Sequence, residues 1–169
     1  RKWMLIGLYV GQRVSDLLTL KPTQLRFIEN GVYIDINQQK TDKYVTVGVV
    51  DKEVIQILKQ RFPYAISAQL FNRQIKQICQ IAGIYEMVSG YKLCIKTKRK
   101  RLGTHPKYSL ISSHDLRRSF ATNYFGKIET PILMQITGHS KESTFLSYIG
   151  TQVNKDTYAD AFMKVAATL

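Results

Sequence analysis

The sequence predicts an α+β domain, mostly α-helical, with a small three-stranded antiparallel sheet near its N-terminus. Apolar residues recur at helical spacing through most of the chain, as in Val54, Ile57 and Leu58 or in Leu70, Phe71, Ile75 and Ile78. Three short runs rich in β-branched and aromatic residues lie between positions 25 and 50, separated by turn residues. The chain has 169 residues, of which 44% are hydrophobic and 22% charged, enough for one domain with a substantial core.

Trp3–Val10 is almost continuously apolar and predicts a buried helix stopped by Gly11. A short helix follows, with Ser15 as its expected cap and Val14, Leu17 and Leu18 turned inward, ended by Lys21-Pro22. Arg13 stands at its entrance, with Asp16 three residues on. Leu25–Ile28 and Val32–Asn37 read as strands joined by Glu29-Asn30-Gly31, and Tyr44–Val50 as a third. The second turn carries Lys40 and Lys43, which by themselves read as solvated edge protection.

Asp51 is the expected cap of a helix over Glu53–Arg61, broken by Pro63. Leu70–Ala82 repeats the amphipathic pattern, with Cys79 beside its apolar stripe and Gly83 just past its end. Tyr91–Leu102 starts strand-like and runs into Lys96-Thr97-Lys98-Arg99-Lys100-Arg101, read as a mobile basic loop suited to phosphate backbone. Ser113 is the expected cap of a helix with Leu116, Phe120, Ala121 and Tyr124 inward, ended at Gly126. Thr130-Pro131 opens a helix that Gly138 stops, and Thr144–Ile149 carries Tyr148. Lys155–Leu169 predicts a final amphipathic helix with Tyr158, Phe162, Val165 and Leu169 on one face, to be packed on its own domain or a neighbour.

The balance of 25 Lys and Arg against 12 Asp and Glu gives a net charge of +13, which favours a polyanionic partner, most commonly nucleic acid. Two cysteines with no CxxC or Cys/His cluster argue against a disulfide framework or a zinc site and suit a reducing cytoplasm or nucleoid. The Trp3–Val10 run is too short to span a membrane, and no signal peptide is recognisable. Arg1 in place of an initiator Met points to a piece of a longer protein.

The stretch His114–Tyr148 holds two imidazoles, a guanidinium and a phenol, without metal-ligand spacing. That set suits a phosphate attacked by a hydroxyl, with cationic donors stabilising the charge. Singly, each histidine reads as structural and the tyrosine as core.

In order and spacing, Arg13, a hairpin lysine, His114-x-x-Arg117, Gly138-His139 and Tyr148 resemble the catalytic domain of the tyrosine recombinases, the family of phage integrases, Xer proteins and Cre. The resemblance spans nearly the whole chain. It implies a site-specific DNA recombinase or integrase of a mobile element that cuts and rejoins strands through a covalent 3′-phosphotyrosine, needing neither metal nor ATP. Arg13 and Arg117 would hold the non-bridging oxygens of the scissile phosphate, Tyr148 would be the nucleophile, and Lys40 the general acid. His114 and His139 would bond the phosphate and assist the proton of the tyrosine, with Asp16 orienting its surroundings.

Lys43 competes with Lys40, which leads the turn where the family's lysine usually stands. Arg118 competes with Arg117 and Tyr158 with Tyr148. Lys43, Lys96, Lys98, Arg99, Lys100, Arg101 and Arg118 are the candidate DNA-backbone contacts. The family commonly has an aliphatic residue where Gln12 stands and leucine where Thr137 stands, and both read as tolerated variation.

The resemblance also implies one catalytic domain over residues 1–169, with the family's N-terminal core-binding domain outside this chain. The expected partner is double-stranded DNA. A homo-tetramer would form on DNA at full length, the fragment would be monomeric, and no membrane would be involved. The alternatives are a type IB topoisomerase and a non-catalytic DNA-binding domain.

Overall fold

Trp3, Ile6 and Val10 stand three and four residues apart, so a helix over these positions turns all three to one side. A computed structural model describes residues 1–94, 97–150 and 155–167, with backbone alone at 155–158, 161 and 165. In it this segment is helix α1 (Lys2–Val10), those three side chains are buried, and Gly11 closes it in the left-handed region at φ 65°. A Cβ at Gly11 would strike the Phe120 ring at 2.6 Å from its Cγ, so glycine serves both the turn and the close helix contact. Helix α2 (Val14–Leu18) follows at once, with Arg13, not Ser15, at its N-cap in extended conformation.

Strands β1 (Leu25–Ile28), β2 (Gly31–Gln38) and β3 (Lys43–Val49) form an antiparallel sheet in that order. Their alternation is that of a half-buried sheet: Val32, Ile34, Ile36, Val45, Val47 and Val49 face the core, and Tyr33 and Tyr44 face out. Asp35 on the outer face is bound by Arg26 at 2.6 Å and by Thr46 at 2.7 Å, which holds its carboxyl near a pKa of about 2.

Helix α3 (Lys52–Gln60) packs on α1 and β2, and helix α4 (Ala68–Ile81) packs on α2 and the segment Ser113–Tyr124; they are capped by the side chains of Asp51 and Ser67. Gly83, at φ 79°, lies just past α4, and Cys79 is core. After α4, where the sequence shows a strand-like start running into a basic loop, comes a hairpin: β4 (Met87–Leu93) pairs with β5 (Lys100–Pro106) as a separate two-stranded ribbon. It is anchored where Leu110 fills the space a side chain at Gly90 would occupy, and it leaves Tyr91, Leu93 and Leu102 exposed.

Helix α5 (Ser113–Tyr124) is capped by Ser112, not Ser113: Asp115 reaches back to the Ser112 N–H at 2.8 Å. It ends at Phe125, one residue before Gly126. Helix α6 (Thr130–Thr137) has Glu129 at its N-cap and places Thr130 and Pro131 inside its first turn, while α7 starts earlier than expected and spans Glu142–Ile149. Two apolar clusters result. The larger lies between the three-stranded sheet and α1–α4, and the smaller joins Phe120, Ala121, Leu133, Phe145 and Ile149 of α5–α7. Leu116 belongs to the first and Phe120 to the second, so α5 bridges them, with Arg117 at the seam.

Helix α8 spans Lys155–Ala166. Phe162 and Met163 are 73% and 60% exposed, so on these residues the expected packing within the domain does not occur. The side chains of Tyr158 and Val165, with Leu169, lie outside the described residues. Among the described residues no helix is long and apolar enough to cross a membrane.

Candidate active site

A cavity of about 430 Å³ opens at the seam between the two clusters. Arg13, Lys40, His114, Arg117, His139 and Tyr148 all line it, with Gln12, Val14, Ser15 and Ser113 completing the wall. The fold brings these six candidates together from four helices or their caps and one hairpin turn.

Arg13 enters from the N-cap of α2, half-buried, and its Nη1 is buried without a hydrogen-bond partner among the described residues. An unpaired buried guanidinium nitrogen is costly unless an anion completes it. Arg117 is 3% exposed. Its guanidinium donates to the carbonyls of Gly11, at 3.3 Å, and of Thr137, at the C-terminal ends of α1 and α6. Helix C-termini present partial negative charge, so both bonds favour a cation there. Burial, and then repulsion from Arg13, lowers its pKa to about 10, which leaves it charged at neutral pH.

His139 follows Gly138, whose φ of 65° lets the chain reverse at the end of α6; the His139 N–H then donates to Met134 O at 2.8 Å. Thr137 Oγ1 spends its hydrogen on Leu133 O at 2.6 Å, so toward His139 Nδ1 at 2.8 Å it accepts. Nδ1 therefore carries the proton and Nε2 the lone pair. Burial, reinforced by Arg117 and Arg13, lowers the His139 pKa to about 4, so the ring is a neutral acceptor at pH 7. The His114 pKa is lowered as well, by burial first and Arg118 second.

Tyr148, on α7, stands between the two imidazoles, each with its centroid 5.0 Å from the phenol ring. Its Oη donates to the His114 carbonyl at 3.3 Å. Burial raises its pKa, against the opposing pull of Arg117 and Arg118, so the resting group is a neutral phenol. The Arg118 guanidinium carbon lies 5.6 Å from the Tyr148 ring centroid, a cation–π contact, which puts this arginine beside the tyrosine.

Lys40 stands on the turn between β2 and β3 and lines the cavity, whereas Lys43 lines an adjoining recess with Pro131, Met134 and Glu142, which shares His139 with the cavity. Asp16 is 2% exposed and bonds the Gln39 amide instead of opening on the cavity. Lys98, Arg99, Lys100 and Arg101 are exposed at the β4–β5 turn and on β5, outside the cavity lining; Lys96 lies outside the described residues.

Two residues that look like tolerated variation in the sequence are hydrogen-bonded into the site. Thr137 sets the His139 tautomer, and Gln12 bonds the Ile136 carbonyl at 2.8 Å. Gln38, which no sequence signal singles out, meets Gln12 across the core at 2.9 Å.

A family model described as "Phage integrase family" matches residues 1–155. No match is found among curated proteins. Among solved structures, the fold is similar to XerH site-specific recombinase bound to difH substrate in a pre-cleavage complex: 20% identity and TM-score 0.64, covering 95% of this chain and 45% of that one. It is also similar to a lambda integrase dimer bound to a COC′ core site, at 18% identity and TM-score 0.62, over 92% of this chain and 53% of that one. The Tn1549 transposon integrase in complex with transposon right end DNA matches at 16% identity and TM-score 0.65, over 98% of this chain and 58% of that one. At these identities the likeness is one of fold, and the chain spans about half the length of these structures.

Proposed function

The chain belongs to the phage integrase family, and we propose that it cleaves and rejoins DNA strands by transesterification at Tyr148 in site-specific recombination. The observation that carries this reading is the convergence of five cationic or imidazole side chains on one cavity around a single phenol. Arg117 is held by two carbonyls, while Arg13 keeps a buried nitrogen unpaired. A scissile phosphate between them would complete Arg13 and neutralise the mutual repulsion.

In the proposed step, Tyr148 Oη forms a bond to phosphorus as the P–O5′ bond breaks. The phenolic proton passes to the lone pair on His139 Nε2, and Lys40 supplies a proton to the departing 5′ oxygen. The products are a 3′-phosphotyrosine and a 5′-hydroxyl. Rejoining is the reverse, with the same number of phosphoester bonds, so no nucleotide cofactor is consumed. Positive charge on the two arginines stabilises the equatorial oxygens as charge builds there. Exchange between two duplexes cuts four strands, which requires four such tyrosines and hence a DNA-bound tetramer.

Covalent trapping on a nicked duplex from the ends of the carrying element, in EDTA, tests the reading. A denaturant-resistant adduct that maps to Tyr148 and vanishes in Tyr148→Phe is the expected result. DNA affinity without an adduct on the correct junction would instead mark a binding domain without chemistry. Site-independent relaxation of supercoils would mark a topoisomerase.

A further inference from the structure

Lys40 has a long, flexible side chain on an exposed hairpin turn, a poor platform for a group that must deliver a proton to one atom. The turn is anchored from below. Gln12 and Gln38 are 2% and 0% exposed. Gln38 Nε2 donates to Gln12 Oε1 and to Ile136 O, both at 2.9 Å, and Gln12 Nε2 donates to Ile136 O at 2.8 Å and Val10 O at 3.2 Å. Gln38 Oε1 accepts the Thr41 hydroxyl at 2.7 Å, inside the turn that carries Lys40. Every amide hydrogen and oxygen of the pair is used. The orientation is also forced, because a carbonyl such as Ile136 O only accepts and both NH₂ groups must face it.

Each anchor lies within three residues of a cavity group: Gln12 beside Arg13, Gln38 two before Lys40, Ile136 three before His139. Gly138 closes the assembly, since a Cβ there would overlap Gln38 Oε1 and come 3.3 Å from Arg13 Nη1.

We propose that Gln12 and Gln38 form an internal amide latch, a pair of positioning residues that holds the Lys40 turn in register with Arg13 and with the turn carrying His139. The inference rests on the reading of Lys40 as general acid. Without the latch, the turn keeps its backbone bonds from Thr41 and Asp42 to Gln38 O and the bond from the Gln39 N–H to Asp16, but loses its side-chain ties to the Gln12 segment and to Ile136.

The test uses Gln12→Met, Gln38→Met and the double variant, which keep side-chain length and remove the amides, with melting curves to confirm folding. Thr41→Val is the milder companion, cutting one latch bond at the surface, and serves if the core variants do not fold. Amide hydrogen exchange is followed over residues 37–43 and 136–140. Single-turnover cleavage is compared on ordinary DNA and on DNA with sulfur in place of the bridging 5′ oxygen, a leaving group that departs without protonation.

The latch predicts faster exchange in both segments together. It predicts a loss of about tenfold to hundredfold on ordinary DNA, a partial loss of the roughly 10²–10⁴-fold that general-acid catalysis contributes, a smaller loss on the sulfur substrate, and a double variant no worse than the worse single. Equal losses on both substrates, or faster exchange in one segment alone, would overturn it. A parent protein inert on both substrates refutes the strand-transfer reading and with it the role of Lys40. The exchange data then still report whether the latch holds the turn.

Discussion

Asp16 Oδ1 accepts the backbone N–H of Gln39 at 3.0 Å, tying the helix that starts at Arg13 to the turn that presents Lys40. The carboxylate is buried at the foot of the cavity wall, and its neighbour Thr19 holds the Gln39 side chain at 3.4 Å. This short link, 23 residues long in sequence, sets the separation between a phosphate-binding arginine and a proton donor in the proposed chemistry.

Removing it has a measurable cost. Asp16→Ala leaves the Gln39 N–H without its charged acceptor and is expected to destabilise the domain by about 1.5–3 kcal/mol. Cleavage in the single-turnover assay should fall about tenfold or more as the turn shifts by a fraction of an ångström. Asp16→Asn, which keeps an acceptor oxygen, should recover most of the stability. An Asp16→Ala melting curve that superimposes on the parent's would show that the link contributes nothing.

His139 makes stability depend on pH with a definite sign. Its folded pKa, about 4, lies below the ordinary 6.5, so the unfolded chain binds the proton more readily. The contribution is fully present above pH 6.5 and is lost as pH falls toward 4. The melting temperature should drop across that window, and His139→Gln should flatten the drop; His114 acts in the same direction. Bound phosphate would cancel the repulsion from Arg117 and Arg13, so the His139 ring in a Tyr148→Phe complex with DNA should titrate higher than in the free protein. NMR titration of the imidazole checks both statements.

Gly138 and Gly83 separate backbone strain from steric overlap. Both have positive φ, 65° and 79°, but a Cβ at Gly83 meets open space whereas one at Gly138 overlaps Gln38. Gly83→Ala should cost ~1 kcal/mol from the left-handed backbone alone. Gly138→Ala should cost ~1–3 kcal/mol more, from the packing conflict, and should also slow cleavage because His139 moves. Denaturant melts of the two variants, side by side, decide whether the difference is real.

The cations of the β4–β5 hairpin should act on affinity and leave chemistry alone. Replacing Lys98 and Arg99 by Gln is expected to lower the slope of log K against log salt by roughly 1 for each DNA phosphate that the variant no longer neutralises. The cleavage rate of the saturated complex should stay as in the parent. An unchanged salt slope would remove this hairpin from the DNA path.

Local patterns in the sequence were enough for the helices and the three-stranded sheet, whereas the six cavity residues were singled out by their joint resemblance to the tyrosine recombinases. Periodicity 3.6 or 2, a capping carboxylate such as Asp51, and a turn such as Glu29-Asn30-Gly31 are all set by neighbours within a few positions. The β4–β5 ribbon escaped this reading. Tyr91, Leu93 and Leu102 are exposed, so its strands lack the half-buried alternation of an ordinary sheet, and a cationic run masks the turn. Ser113 and Ser112 are equivalent in sequence, and only the reach of Asp115 to the Ser112 N–H decided between them.

Other features were decided by packing between distant elements. Lys40 and Lys43 are three residues apart, one on the turn and one opening β3, yet of the two only Lys40 lines the cavity, while Lys43 faces the adjoining recess beside α6 and α7. The tautomer of His139 depends on where the Thr137 hydroxyl spends its hydrogen, and the pKa values of His139 and Arg117 depend on how deeply each is buried beside Arg13. The Gln12–Gln38 contact joins residues 26 apart that carry no local signal at all. Composition and spacing determined which chemical groups this protein owns. The tertiary structure decided which of them face one another, because hydrogen bonds and desolvation act over a few ångströms, and only folding brings distant segments that close.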